Sequence, residues 1–339
     1  MKISVIIAAY KGERFIEEQL QSLFRQTLLP DEILIGDDSP DLLTGEAVER
    51  CRKNLPPSIS LRYIRNQEQL GFLKNFLHLA ELAEGEYIFF CDQDDVWLPE
   101  KIARLADMLD KNPSCDLAFS DSYKVTGDLS KIIPSPELPC HFDILSNKKF
   151  CEEKINKGEA FSIFQEYINR DFIAGHNMAL RKSALELLLA IPEEYTFHDM
   201  WCGRIFPFLE RCRCTMDCLV LHRMHDSNAS ARKLFHKKFF FIPRRVWEVV
   251  TCGPEDLHKV TRLYRKLRNC AILHAGKNHI PEKNLLLLRK HLAFTFWRIH
   301  LHKTFFLCRW GAILRKKKLY KEYYQGTRFP LLRDLFSLN

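Results

Sequence analysis

The chain predicts an α/β domain, a mostly parallel sheet between helices, with a basic helical region behind it. Three features carry this reading. In the first half, short apolar runs rich in β-branched residues alternate with stretches whose apolar residues recur at helical spacing, the pattern of βαβ units. Carboxylates cluster directly after several of these runs. Charge then changes sign along the chain: residues 232–339 hold 25 Lys and Arg against 6 Asp and Glu, a net +19, while residues 1–231 carry −11.

The elements follow in order. Ile3–Ala9 is continuously apolar, as a strand covered on both faces should be. Phe15, Ile16, Leu20, Leu23 and Phe24 then mark one face of a helix. The unit recurs as strand Glu32–Gly36 and helix Leu42–Arg52, strand Leu61–Ile64 and helix Leu73–Ala83, strand Tyr87–Cys91 and helix Glu100–Leu109. A further strand, Leu117–Ser120, ends at Asp121. Thr126–Arg170 carries Pro134, Pro136 and Pro139 without periodicity and reads as a long excursion. Order resumes at Phe172–Leu180, with helices over Lys182–Leu189 and Met200–Leu209 and a strand at Cys218–His222. The boundary drawn from composition separates residues 1–231 from a helical region, 232–339, thick with Lys, Arg, Phe, Leu and Trp.

Composition excludes whole classes. With 46% hydrophobic residues, 28% charged, 13 Gly and 15 Pro, the chain is neither collagen-like nor disordered. Its twelve cysteines form no framework, and Met1–Glu13 has one Lys2 before a short apolar run and no small-residue cleavage pattern. A reducing, cytoplasmic setting with free thiols is therefore expected. Cys212, Cys214 and Cys218 lack zinc-ribbon spacing. No stretch of about 18 uncharged apolar residues exists to span a bilayer; Leu285–Trp310 is cut by Arg289, Lys290, His291, Arg298 and Lys303.

Ligands of open α/β sheets bind outside the carboxyl ends of the strands, which directs attention to Tyr10, to Asp37 and Asp38, and to Asp92-Gln93-Asp94-Asp95. One Asp after a strand is an ordinary helix cap, and Asp95, or alternatively Asp38, is expected to serve so. Three carboxylates in four residues exceed what a cap needs, and like charges so close call for a cation or hydrogen-bond donors to neutralise them. Hard oxygen donors in this number suit Mg²⁺ or Mn²⁺, which bridge carboxylates to substrate phosphates. Neither a P-loop nor a Gly-x-Gly-x-x-Gly turn follows the first strand, where Ala8-Ala9-Tyr10-Lys11-Gly12-Glu13 stands.

Ser4-Val5-Ile6-Ile7-Ala8-Ala9-Tyr10, Gly36-Asp37-Asp38-Ser39 and Cys91-Asp92-Gln93-Asp94-Asp95-Val96-Trp97 together resemble the family-2 glycosyltransferases, inverting enzymes with the GT-A nucleotide-sugar-binding fold. Gly175-His176-Asn177-Met178, His198-Asp199-Met200-Trp201 and Arg223-Met224-His225-Asp226-Ser227-Asn228 are similar to further signatures of the subgroup that includes rhamnosyltransferases of bacterial surface polysaccharides. The resemblance covers roughly residues 1–231. It implies that Tyr10 stacks on the nucleotide base, that Ala8 lines its pocket, and that Asp37 or Asp38 accepts from the base or ribose. It implies Asp92 and Asp94 as the Asp-x-Asp motif contacting metal and nucleotide diphosphate, His225 as a further metal ligand, and Asp121, Gly175 and His198 near the sugar or acceptor. An acceptor hydroxyl needs a base to take its proton, and Asp199 is the candidate; its bland alternative is a cap for helix Met200–Leu209. Lys11 where the family has Asn, Ser39-Pro40 where it has Gly-Ser, and Met200 where it has Trp leave the metal and base candidates in place.

Aromatic and basic residues interleave in the tail, as in Lys237-Lys238-Phe239-Phe240-Phe241, Arg244-Arg245-Val246-Trp247 and Arg315-Lys316-Lys317-Lys318. This is the composition of a segment that lies on an anionic membrane, or of helices packed with a solvated basic face; no nucleic-acid motif accompanies it. The expectation is thus a peripheral, metal-dependent transferase at the inner face of the plasma membrane. It would move a sugar from a nucleotide-diphosphate sugar to a saccharide or lipid-linked acceptor, in lipopolysaccharide, capsule or exopolysaccharide synthesis. The rivals are a sugar nucleotidyltransferase, disfavoured by the missing Gly-rich phosphate loop, and a catalytically inactive module bound to the membrane surface.

Overall fold

A computed structural model describes residues 2–133, 173–226, 228, 254–276, 279–302 and 306–324. The chain divides into two compact units, Met1–His225 and Asp226–Asn339. The excursion expected over Thr126–Arg170 lies outside the described residues from 134 onward, as do the basic clusters at 237–247.

The first unit is built on one eight-stranded sheet. Its strands are β1 (Ile3–Ala9), β2 (Glu32–Asp37), β3 (Ser60–Arg65), β4 (Tyr87–Asp92), β5 (Val96–Trp97), β6 (Leu117–Thr126), β7 (Met178–Arg181) and β8 (Cys212–Met224), in the order β3-β2-β1-β4-β7-β6-β8-β5. β3, β2, β1 and β4 are mutually parallel, as the βαβ alternation predicts. β7 then runs antiparallel between β4 and β6, and β8 returns parallel to β6.

Helices α1 (Ile16–Phe24), α2 (Leu43–Cys51) and α4 (Lys101–Asp110) bury their apolar stripes with Ile3, Val5, Ile7, Ile33, Ile35 and Phe89 in one core. Successive strand residues point to opposite faces, so Phe90 turns the other way, onto Phe76 of α3 (Phe72–Leu82) and His198 of α6 (His198–Phe208). Short α5 (Leu185–Leu189) takes the indole N–H of buried Trp201 on its Leu187 carbonyl at 2.7 Å.

Three elements are longer or earlier than sequence periodicity alone shows. β6 continues past Ser120 to Thr126, so Asp121 lies inside a strand, at a register irregularity against β8, and not in a loop beyond it. β8 starts at Cys212, not Cys218, because its first residues pair with β6 although only Cys212 and Thr215 of the first six are buried, with no strand period to show it. α6 begins at His198, with Phe197 as N-cap, so Asp199 occupies its first turn and is not its cap.

In the second unit, α7 (Pro254–Ala275) ends at Gly276, whose φ of 78° is the left-handed conformation that closes helices at low cost. α8 (Glu282–His302), α9 (Phe306–Arg315) and α10 (Lys317–Tyr324) follow. Phe294, Leu301, Ile313 and Tyr320 make a small core there, with Trp297 stacked on Phe294 at 5.6 Å. Among the described residues no helix is long and apolar enough to cross a membrane.

Candidate active site

Parallel pairing brings the carboxyl ends of β1, β2 and β4 to one edge of the sheet: Ala9 is in register with Asp37, and half-buried Ala8 with both Gly36 and Asp92. Asp37 and Asp92, 55 positions apart in the chain, thereby come to flank the end of β1. Tyr10, directly past β1, is 37% exposed at this edge.

The carboxylates of the second loop are already engaged. Asp37 is fully buried; its Oδ1 accepts from the Ser39 amide at 2.9 Å and hydroxyl at 2.5 Å, and its Oδ2 accepts from Tyr63 at 2.6 Å. Burial and this bond push the Tyr63 phenol up. Asp38 accepts from the Asn66 side chain at 2.8 Å and from the amides of Leu70 and Gly71 at 3.1 and 2.8 Å, just ahead of α3. Asp38 thus serves amides at the start of α3, remote in sequence, and not those of α2. Both residues are buried and bonded within the protein instead of standing open at the edge, where the sequence places them.

The third loop carries the densest charge. Carboxylate oxygens of Asp92, Asp94 and Asp95 lie within 4.8 Å of one another, and burial together with the Asp94 charge pushes Asp92 up to about 7. The His225 Nε2 sits 2.8 Å from Asp94 Oδ2. Such a donor set, several hard oxygens and one imidazole with negative charge only partly balanced, fits Mn²⁺ or Mg²⁺.

His225 reaches Asp94 because β5 pairs Val96 and Trp97 with Leu221 and Val220 of β8, which lays the end of β8 along the acidic loop. Arg223 secures the arrangement. Its guanidinium donates to the Asp94 carbonyl at 2.8 Å, to the Gly127 carbonyl at 2.7 Å and to Glu18 at 2.5 Å, and it packs on Phe15 at 4.7 Å. Arg223 and His225 are two residues apart, the spacing that places side chains on one side of a strand. That spacing was the available sequence signal for a supporting role; Glu18 and Phe15 gave none.

Asp95 is not a helix cap. Glu100 precedes α4 in that position, and Asp95 Oδ1 accepts from the Arg223 amide and pairs with His222 Nδ1, both at 3.0 Å. His176 Nδ1 lies 3.4 Å from Asp92 and 3.6 Å from Asp95, and burial drives its pKa down to about 3. Asp95, His176 and His222 could be mistaken for a second metal centre. The two rings, however, stack at 4.4 Å with planes 12° apart, so their in-plane lone pairs do not converge on one ion. Lys101, wholly buried over Trp97 at 3.2 Å and bonded to the His176 carbonyl, is pushed down to about 7 by burial; nothing in the periodicity of α4 marks it.

Asp199 is held by two backbone amides, Gly175 to Oδ2 at 3.1 Å and Met200 to Oδ1 at 2.6 Å. The turn Gly175–Asn177 and the start of α6 are therefore one assembly. His198 does not reach a surface as expected of an acceptor contact. It is 0% exposed, stacked on Phe90 at 4.8 Å and walled by Phe72 and Phe76, and burial holds it neutral with its pKa down to about 3. A Cβ at Gly175 would lie 2.6 Å from its Nε2, so the glycine exists to admit this ring. Asp121 is likewise buried, its Oδ1 accepting from the Ser122 amide at 2.7 Å.

The acidic edge thus lies at the carboxyl ends of parallel strands, where open α/β sheets bind their ligands, and a histidine just past β8 reaches it. Residues 4–189 match the sequence model of glycosyl transferase family 2, and the chain belongs to that family. Among curated relatives, an uncharacterized glycosyltransferase of Nostoc is 31% identical over 150 residues, 39% of this chain and 45% of the relative. The dTDP-rhamnosyl transferase RfbG of Shigella flexneri is 36% identical over 106 residues, 30% of this chain and 36% of that protein. The chain spans less than half the length of these relatives. The crystal structure of residues 1–349 of TarS from S. aureus, in complex with UDP-GlcNAc, superposes with a TM-score of 0.50 over 80% of this chain and 67% of that one at 20% identity. The fold is thus GT-A.

Proposed function

We propose that this protein is a metal-dependent, inverting glycosyltransferase that moves a sugar from a nucleotide-diphosphate donor to a hydroxyl of a saccharide or lipid-linked saccharide in bacterial surface-polysaccharide synthesis. The observation that carries the reading is the meeting of Asp92, Asp94 and His225 at the sheet edge. In the proposal, Tyr10 and Ala8 form the nucleoside pocket, with Asp37 and Asp38 bracing it from behind. Asp92, Asp94 and His225 would hold Mn²⁺ or Mg²⁺, which when bound offsets the charge of a leaving diphosphate. Asp199, steadied by two amides beside the Gly175 turn, takes the acceptor proton as the hydroxyl attacks the anomeric carbon from the face opposite the leaving group. The basic region after residue 231 would keep the enzyme on the cytoplasmic face of an anionic membrane, where a lipid-linked acceptor resides. The similarity to a named dTDP-rhamnosyl transferase supports a deoxyhexose donor as the first to try.

A thermal-shift panel of UDP, GDP, dTDP and their sugars, with and without Mn²⁺, tests this. One nucleotide should stabilise the protein only with the metal, and Asp94→Ala should erase that gain. Stabilisation of the variant equal to that of the native chain would overturn the metal assignment.

A further inference from the structure

Gln93 stands between the two carboxylates of Asp92-Gln93-Asp94 and reaches across to the first-strand loop. Its Oε1 accepts from the Tyr10 amide at 2.9 Å, and its Nε2 donates to the Tyr10 carbonyl at 3.0 Å. One side-chain amide thereby satisfies both main-chain groups of a loop residue, as a neighbouring strand would. The approach is close: a Cβ on Gly12 would lie 2.3 Å from Gln93 Oε1 and 3.1 Å from its Cδ. Lys11, between Tyr10 and Gly12, adopts φ 52°, uncommon for a residue with a side chain, and its amide donates to Ser39 Oγ at 2.7 Å. The Gly12 amide donates to Thr44 Oγ1 at 3.0 Å. The loop is therefore wrapped around the Gln93 amide and pinned on its far side.

We infer that Gln93 is a positioning residue that ties the Tyr10 ring to the Asp92–Asp94 loop, so that base and diphosphate of a donor meet one preorganised unit. This rests on the proposed reading, in which Tyr10 stacks the base and the acidic loop holds metal and diphosphate. A clamped loop has less freedom to lose when a ligand binds; both bonds go to Tyr10 while Arg223 separately holds the Asp94 carbonyl, so the loss of the clamp falls on the base side of the site. Gly12 is part of the device, because any larger residue displaces the Gln93 amide without altering its chemistry.

Calorimetry on the full chain with Mn²⁺ separates the possibilities. UDP, GDP and dTDP are measured to find the nucleotide that binds, and inorganic pyrophosphate serves as a probe without a base. Tyr10→Ala, Gln93→Ala and Gly12→Ala should each weaken nucleotide binding about tenfold, the scale of one lost stacking contact. The Tyr10→Ala/Gln93→Ala double variant should bind no more weakly than Tyr10→Ala, and pyrophosphate affinity should stay within about twofold of native throughout. Additive losses, equal loss of pyrophosphate binding in Gln93→Ala, or native nucleotide binding by both Gln93→Ala and Gly12→Ala would overturn the inference while leaving the reading of Tyr10 intact. Native binding by Tyr10→Ala would remove the base platform and the inference with it.

Discussion

At the scale of single residues, the site sorts its ionisable groups by what surrounds them. Asp199 accepts two amide N–H bonds and sits in the first turn of α6, where the helix dipole favours its charge. In the proposed reaction Asp199→Asn should leave donor binding near native and lower transfer by roughly 10²- to 10⁴-fold, the range of a lost general base; an assay of transfer alongside nucleotide binding checks both halves. His198 tests burial instead. Its folded pKa, near 3, lies below the ordinary histidine value, so its contribution to stability is present above about pH 6.5 and is lost as pH falls toward 3. Between pH 7 and pH 5 the loss should be about 2 kcal/mol. Urea unfolding at both pH values should show that His198→Leu removes a difference of this size.

At the scale of elements, glycines report how tightly neighbours approach. Gly175 lies against the edge of the His198 ring, and Phe72, Phe76 and Phe90 prevent that ring from retreating. Gly175→Ala should therefore destabilise by about 1–3 kcal/mol through overpacking, and should disturb the amide that holds Asp199. Gly311 in α9 has nothing within 4 Å of the place its Cβ would take. Gly311→Ala should stabilise by about 0.5–1 kcal/mol through helix propensity. Thermal unfolding of the two variants side by side should give shifts of opposite sign. The acidic loop is anchored at two points: β5, only two residues long, ties it to β8, and Arg223 donates to its Asp94 carbonyl.

At the scale of the whole molecule, the candidate site and the excess of basic charge lie in different units. The acidic edge belongs to Met1–His225, and the excess of Lys and Arg to the residues that follow. Arg315, Lys317 and Lys318 are exposed, while Lys316 lies over Trp297 at 4.7 Å. If the basic region holds the enzyme to lipid, Lys317→Glu with Lys318→Glu should weaken sedimentation with phosphatidylglycerol vesicles by tenfold or more, at about 1 kcal/mol per basic residue. Native binding should also fall as salt rises; binding indifferent to both changes would leave the helices as simple packing partners. The parallel half of the sheet and its order of helices were legible in sequence because strands buried on both faces and helices buried on one leave different apolar periods. The motifs placed Asp92, Asp94, Asp199 and His225 among the candidates. Sequence alone also settled where charge resides, since a sum over residues needs no coordinates. Tertiary structure alone decided which acids are spent within the protein: Asp37 on Tyr63, Asp38 ahead of α3, Asp95 on β8. It alone buried His198 and Asp121, and it alone turned Gln93 onto Tyr10. The physical reason is common to all of these. A side chain's role depends on partners 26 to 128 positions away, and local periodicity records only what lies within a few turns of itself.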